Sequence, residues 1–283
     1  MRDALRRHWP EYLMEAALLG AFMISASLFA SLLEFPGSPA HMAIPNPTVR
    51  RALMGLAMGL TAVALVYSPW GGRSGAHFNP ALTLGFYRLG MVAPADATWY
   101  TVSQFAGGVV GMLVALLLVR IPLAHPGVHY VATQPGSLGV GAAFVAESVI
   151  SFALMLVVLA VSHRPSIARW TGACAGLLVA LYITVEAPIS GMSMNPARTF
   201  ASAVVGWTWT GWWIYFTAPP LGMLAAAEAY RRWRGARGLF CAKLNHAPGV
   251  RCIFCEHRLA TSRERDRRPR EPFPDLPHYG HRA

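Results

Sequence analysis

Two triplets, Asn79-Pro80-Ala81 and Asn195-Pro196-Ala197, are the residues of this chain whose order most directly specifies chemistry. An Asn side chain accepts from first-turn amides and so caps a helix. Pro suits the first helical position, where its missing N–H costs nothing, and Ala propagates the helix. With the cap oxygen engaged, the Asn NH₂ group remains a donor. Two such starts set against each other bring together two amide donors and two helix N-termini, each carrying about half a positive charge. The triplets sit in a longer repeat: residues 74–83 align without gaps on 190–199, six of ten identical, at an offset of 116. Arg198 directly follows the second triplet, and Glu15 and Glu147, 132 residues apart, precede the two copies.

The rest of the chain is suited to holding these groups inside a membrane. Apolar residues make up 54% of the 283, charged residues 13%, and the mean hydropathy is +0.39. A soluble domain is typically about 25% charged, so a soluble enzyme and a disordered chain are both excluded. A bilayer core of about 30 Å needs about 20 mostly apolar residues per helix, and six stretches qualify: 11–33, 51–69, 96–119, 139–161, 169–188 and 208–230. The segments 80–89 and 196–205 are apolar but only half that length. They read as re-entrant half-helices, tolerated where their ends are buried in protein or face a water-filled cavity. No paired metal ligands and no nucleophile–base pair occur within the spans, so an enzyme is not expected.

Three spans per half is an odd number, which inverts one half relative to the other and brings the half-helices in from opposite sides. Inverted repeats with broken helices place their site near the midplane. The expected fold is therefore an all-α membrane protein: six transmembrane helices plus two re-entrant half-helices in an inverted three-helix repeat, the repeats covering roughly 8–120 and 139–230. Arg2, Arg6, Arg7, Arg73, Arg88, Arg164 and Arg169 fall on the side of both termini, against Arg50, Arg51 and Arg120 opposite, which makes that side cytoplasmic. Trp9, Tyr12, Trp70, Trp99, Tyr100, Trp170, Trp207, Trp209 and Trp212 lie near span ends and fit interfacial belts.

On both triplets, the Ser-Gly-x-His lead-in at 74–77, Glu15, Glu147, Arg198, Gln104 and Gly107-Gly108, the chain resembles the aquaporin (major intrinsic protein) family over residues 8–232. The resemblance implies a passive channel in a homotetramer that needs no cofactor for transport. Arg198 would line the narrowest point and, with the half-helix dipoles, exclude cations and protons. Glu15 and Glu147 would brace the loops carrying the triplets, with His77 bracing the cytoplasmic vestibule. The constriction would comprise Arg198, Met192, Ile183 and either Gly59 or Met58, depending on one inserted residue between Val66 and Trp70. Strict water channels usually carry His where Ile183 stands and an aromatic on the second span. Thr199 and Ala203 replace the Asp and the basic residue of glycerol-type channels, while Tyr215-Phe216 resemble the aromatic pair of water-type channels. A ring without His and aromatic should be less polar, passing water and small uncharged solutes such as glycerol, urea, ammonia or a neutral metalloid. The competing readings are a secondary transporter coupled through Glu15 and Glu147, and a non-conducting relative plugged by Met192 or the outer loops. The expected location is a bacterial inner (plasma) membrane, with the lipid bilayer and small permeants as partners.

The net charge of +11 is unevenly placed: residues 1–230 carry +3 and 231–283 carry +8. Arg231, Arg232, Arg234 and Arg237 form a juxtamembrane cluster suited to anionic lipid; no nucleic-acid fold accompanies it, so no nucleic-acid partner is expected. Three of the four cysteines follow in the segment 231–260. Cys252-x-x-Cys255 has zinc spacing, with Cys241 and either His246 or His257 completing four ligands. The other reading is incidental cysteines or a lipidated Cys241. Cys174 in the fifth span reads as packing. Residues 261–283, rich in Arg and Pro, should be disordered.

Overall fold

A computed structural model describes residues 1–234, 241–246, 249–257 and 259; the expected disorder of 261–283 and the position of Arg237 lie outside the described residues. The first repeat contains α1 (Arg2–Glu34), the short α2 (Pro39–Ala43), α3 (Pro47–Tyr67), α4 (Pro69–Ser74), the half-helix α5 (Pro80–Arg88) and α6 (Pro94–Val119). After α7 (Ile121–Ala124), the second repeat contains α8 (Gly139–Ser162), α9 (Thr171–Val185), α10 (Ala187–Ser190), the half-helix α11 (Pro196–Gly206) and α12 (Trp212–Arg234).

Among the described residues, five helices are long and apolar enough to cross a membrane: α1, α3, α6, α8 and the 168–185 stretch containing α9. The sixth expected span, α12, is 23 residues long but less apolar, because Pro219 and Pro220 stand inside it and Arg231, Arg232 and Arg234 fill its last turn. It packs along α8 as α6 packs along α1, and its Ile214, Tyr215, Gly222 and Ala226 are buried. The other difference is at the first helix, which begins at Arg2 rather than near residue 11. Its early turns carry partners for the neighbouring loops: Glu11 pairs with Arg73 at 3.0 Å, and His8 and Tyr12 both reach Asp96, at 2.7 and 2.6 Å.

Each half-helix packs chiefly on the last helix of the opposite repeat, α5 on α12 and α11 on α6. This exchange knits the repeats into one body. Glycines set the distances between the long helices. A Cβ on Gly107 would stand 2.1 Å from the Ala16 carbonyl oxygen, and one on Gly111 2.4 Å from that of Gly20, so α1 and α6 cross in backbone contact. On the other pair a Cβ on Gly222 would stand 2.3 Å from the Ser148 oxygen. Small residues serve this purpose in membranes, where close approach supplies the packing that a hydrophobic drive cannot. Gly107→Val meets backbone that cannot yield, and should cost about 3 kcal/mol, the upper part of the usual overpacking range. Gly141 has nothing within 4 Å of its would-be Cβ, so Gly141→Ala should be neutral. Thermal melting of the detergent-solubilised proteins compares the two; equal melting temperatures would contradict the close crossing.

Candidate functional site

The two Asn residues cap the half-helices and also lock them together. Asn79 Oδ1 accepts from the Ala81 amide at 2.9 Å, and Asn195 Oδ1 accepts from Ala197 and Arg198 at 3.1 and 3.2 Å. Pro80 and Pro196 occupy the first helical positions, followed by the buried Ala81 and Ala197. Asn79 Nδ2 then donates to the Met194 carbonyl and Asn195 Nδ2 to that of Phe78, both at 2.8 Å. The expectation left both amide groups free for the lumen. The structure uses one N–H of each to cross-link the loops, and an NH₂ group has two.

The loops before the caps run through left-handed backbone at equivalent places: Gly75, Ala76 and Phe78 in the first, Gly191, Met192 and Met194 in the second. A non-glycine residue held there costs roughly 1–3 kcal/mol, so something must hold it. Glu15 accepts from Ser74 Oγ, His77 N, Phe78 N and Gln104 Nε2 at 2.7, 3.0, 2.6 and 2.8 Å. Glu147 accepts from Ser190 Oγ, Ser193 N and Met194 N at 2.8, 2.6 and 2.7 Å. Both carboxyls are fully buried. Tyr100 donates to the Ser74 carbonyl and Tyr215 to that of Ser190, a second matched pair of braces. Tyr100 is thus buried rather than interfacial, as is Tyr12, whereas Trp9, Trp70, Trp170, Trp207 and Trp212 are exposed as a belt requires. Tyr100 could have been found from its position, 26 residues after Ser74 as Tyr215 is 25 after Ser190.

A cavity of about 470 Å³ runs between the helices. Its lining follows helical rows: Phe22, Ala26, Ala30 and Glu34 on α1, Met54, Met58, Ala62 and Val66 on α3, and Ala175, Val179 and Ile183 on α9. Pro47 and Val66 both line it, and nineteen steps of about 1.5 Å between them make about 29 Å. That is the thickness of a bilayer's apolar core, about 30 Å. Asn79, Asn195, Arg198, Met192, Ile183, Met58 and His77 all border this one cavity. Gly59 does not. It faces α9, where a Cβ would fall 2.5 Å from the Gly176 oxygen, and Met58 borders the cavity in its place. Arg198 Nη1 is buried without a hydrogen-bond partner among the described residues. Glu186 is buried at the end of α9 and does not border the cavity.

Beyond α12 the chain returns to the mouth beside the first half-helix. Cys241, His246, Cys252 and Cys255 come together, their ligand atoms all within 4.8 Å of one another. His257, the alternative fourth ligand, is not in that group, because it lies two residues past Cys255 on the same helical turn. The hydrogen bond between Cys241 and Cys252, 3.4 Å between sulfurs, lowers the pKa of the Cys252 thiol and raises that of Cys241. His77 reaches this segment as well: its Nε2 lies 2.7 Å from the Ala242 carbonyl, and its Nδ1 3.1 Å from Thr83 Oγ1.

Two half-helices meeting inside a bilayer-length cavity define a membrane channel scaffold. The family model described as major intrinsic protein matches residues 9–230, and the chain belongs to that family. The proteins of this family are channels and not enzymes, which also sets the secondary-transporter reading aside. Similar proteins include a probable aquaporin NIP7-1 of Arabidopsis thaliana, 30% identical over 78% of this chain and 76% of that protein. A probable aquaporin NIP-type of Nicotiana alata is 36% identical over 61% of this chain, which spans 62% of the relative's length. The fold also matches the X-ray structure of the aquaglyceroporin from Plasmodium falciparum, with a TM-score of 0.68 at 17% identity, covering 82% of this chain and 98% of that one. The chain is an integral membrane protein. The plant relatives lend no support to the expected bacterial inner membrane.

Proposed function

We propose that the chain is a passive channel for water and small uncharged solutes, with both termini cytoplasmic. The observation that carries this reading is the bilayer-length cavity bordered by Asn79, Asn195 and Arg198. Each Asn retains one N–H for a permeant after cross-linking the loops, and the Arg198 guanidinium supplies a further donor. Two helix N-termini and Arg198 together disfavour any cation at this depth. Met58, Ile183, Met192 and Arg198 form the proposed constriction, three apolar side chains facing one charged donor. Such a ring hydrates a permeant poorly on three sides, which suits solutes carrying their own apolar surface. The relatives are named aquaporins and the structural neighbour an aquaglyceroporin, in keeping with this range. A homotetramer is part of the proposal by family membership, and exposed apolar residues such as Leu117, Leu118 and Leu177 give the outer wall its lipid and subunit contacts.

Stopped-flow shrinkage of proteoliposomes, in EDTA so that no metal occupies the Cys–His cluster, tests the reading. Water should pass, and so should at least one of glycerol, urea, ammonia and a neutral metalloid. Ile183→His should cut uptake of the larger solute by at least about tenfold, the scale of discrimination one changed pocket contact provides, while leaving water flux largely intact. Water flux with no solute uptake would reduce the reading to a strict water channel.

A further inference from the structure

The conduit is not built from the repeats alone. Leu244, ten residues past the end of α12, borders the same cavity as Ala76, His77 and Asn79. It is 4% exposed, and its amide donates to the Gly75 carbonyl at 3.1 Å. Around it the segment is fastened to the loop that leads into the first half-helix. Lys243 Nζ, itself 2% exposed, donates to the Gly72 carbonyl at 2.8 Å and back to that of Arg251 at 3.0 Å. His77 Nε2 meets the Ala242 carbonyl. The Phe254 ring is fully buried and stacks on the His77 ring at 5.3 Å, and Gly75 makes room for it: a Cβ there would lie 2.8 Å from that ring. A side chain from outside both repeats therefore stands at the cytoplasmic end of the conduit.

The segment that carries Leu244 has little regular structure of its own, a single helical turn near 253–257 among the described residues. What can hold its shape is the cluster. Cys241 and Cys252 sulfurs are 3.4 Å apart, Cys241 and Cys255 3.7 Å, and Cys255 Sγ and His246 Nε2 3.4 Å. All four cysteines of the chain are free thiols. Tetrahedral zinc, with Zn–S near 2.3 Å and Zn–N near 2.0–2.1 Å, requires edges of about 3.8 and 3.6 Å. These three separations lie within a few tenths of an ångström of those edges, and far from the ~2.05 Å of a disulfide; the remaining pairs are within 4.8 Å. Three sulfurs and one imidazole are a closed structural zinc set. His246 is exposed and Cys255 half-buried, so the ion can come and go from the cytoplasmic side, beside the opening formed by Ser162, Pro165, Arg169 and Asn245.

We propose that Cys241, His246, Cys252 and Cys255 bind one Zn²⁺, and that the zinc-held segment stoppers the cytoplasmic mouth with Leu244. This rests on the channel reading above. Zinc binding energy becomes the folding energy of so small a unit, so loss of the ion releases the segment, its hold on Gly72, Gly75 and His77, and the stopper together.

The test uses the full-length protein. Elemental analysis should find about one zinc per chain, the content of a closed four-ligand site; Cys252→Ser and His246→Ala should each lose it. In proteoliposomes, zinc-loaded protein should shrink slowly. A membrane-permeant chelator should speed water flux several-fold, and Zn²⁺ but not Mg²⁺ should reverse the change. Cys252→Ser should be fast throughout. Leu244→Ala should bind zinc normally and yet be fast with zinc present, separating ion binding from closure. Absence of zinc, or an iron–sulfur chromophore in its place, overturns the site. Bound zinc with equal flux in loaded, chelated and Leu244→Ala protein overturns the stopper and leaves the channel standing. No flux in any folded, zinc-free form overturns the channel reading itself, while the metal content still reports on the site.

Discussion

Glu147→Ala should abolish accumulation of folded protein. The carboxyl is the acceptor for Ser190 Oγ, Ser193 N and Met194 N. Each buried donor left unsatisfied costs about 1–3 kcal/mol, so the loss is about 3–9 kcal/mol against a typical total stability of about 5–15 kcal/mol. The left-handed backbone at Met192 and Met194 loses its restraint at the same time. Glu15→Ala should behave alike, because Glu15 holds the equivalent Ser74, His77 and Phe78 donors. Glu147→Gln keeps one acceptor oxygen and should fall between the two. Size-exclusion profiles and melting temperatures of the solubilised proteins measure this; a Glu147→Ala protein melting within a few degrees of the parent would refute the bracing role.

Arg198→Ala should leave water permeation in place and admit cations. A unit charge about 4 Å from a passing cation, at an effective dielectric near 20, opposes it by about 4 kcal/mol. At about 1.36 kcal/mol per factor of ten, removing it raises cation passage by about a thousandfold. The two half-helix N-termini remain, each with about half a positive charge, so the leak should stop short of an open pore. Vesicles loaded with a pH-sensitive dye, under an imposed potassium diffusion potential, report the proton and potassium currents. Unchanged currents in a variant that still passes water would remove Arg198 from the charge barrier. Stability gives a second readout: Arg198 Nη1 has no hydrogen-bond partner among the described residues, so its loss should cost the fold far less than the loss of Glu147.

Much of this architecture was legible because its chemistry is local. An Asn cap followed by Pro at the first helical position specifies a helix start within four residues, and its recurrence at a fixed offset exposed the inverted repeat. The carboxyls were legible for a related reason, since a buried Glu in an apolar span must have partners. Several assignments were not. Tyr100 and Tyr12 carry the same composition signal as interfacial aromatics, and only the crossing of α1 and α6 buries them. Gly59 and Met58 differ by one step of a helix, and only the close contact of Gly59 with Gly176 decides which of them faces the cavity. His246 and His257 are equally good ligands by type.

The C-terminal segment shows the division most plainly. In the sequence Lys243 is one more charge in a basic tail, and Leu244 an isolated apolar residue. In the fold, Lys243 joins a carbonyl 171 residues away, Ala242 meets a histidine 165 away, and Leu244 borders the cavity between the helices. The amino-acid order alone determined the spans, the two half-helix starts, the charged residue beside the second, and the four metal-ligand types, because each depends on neighbours within a turn or two of helix. Only the tertiary structure decided which face of each span borders the cavity, which histidine joins the cysteines, and where the tail rests. Those outcomes depend on backbone contacts between distant segments, whose geometry no local pattern encodes.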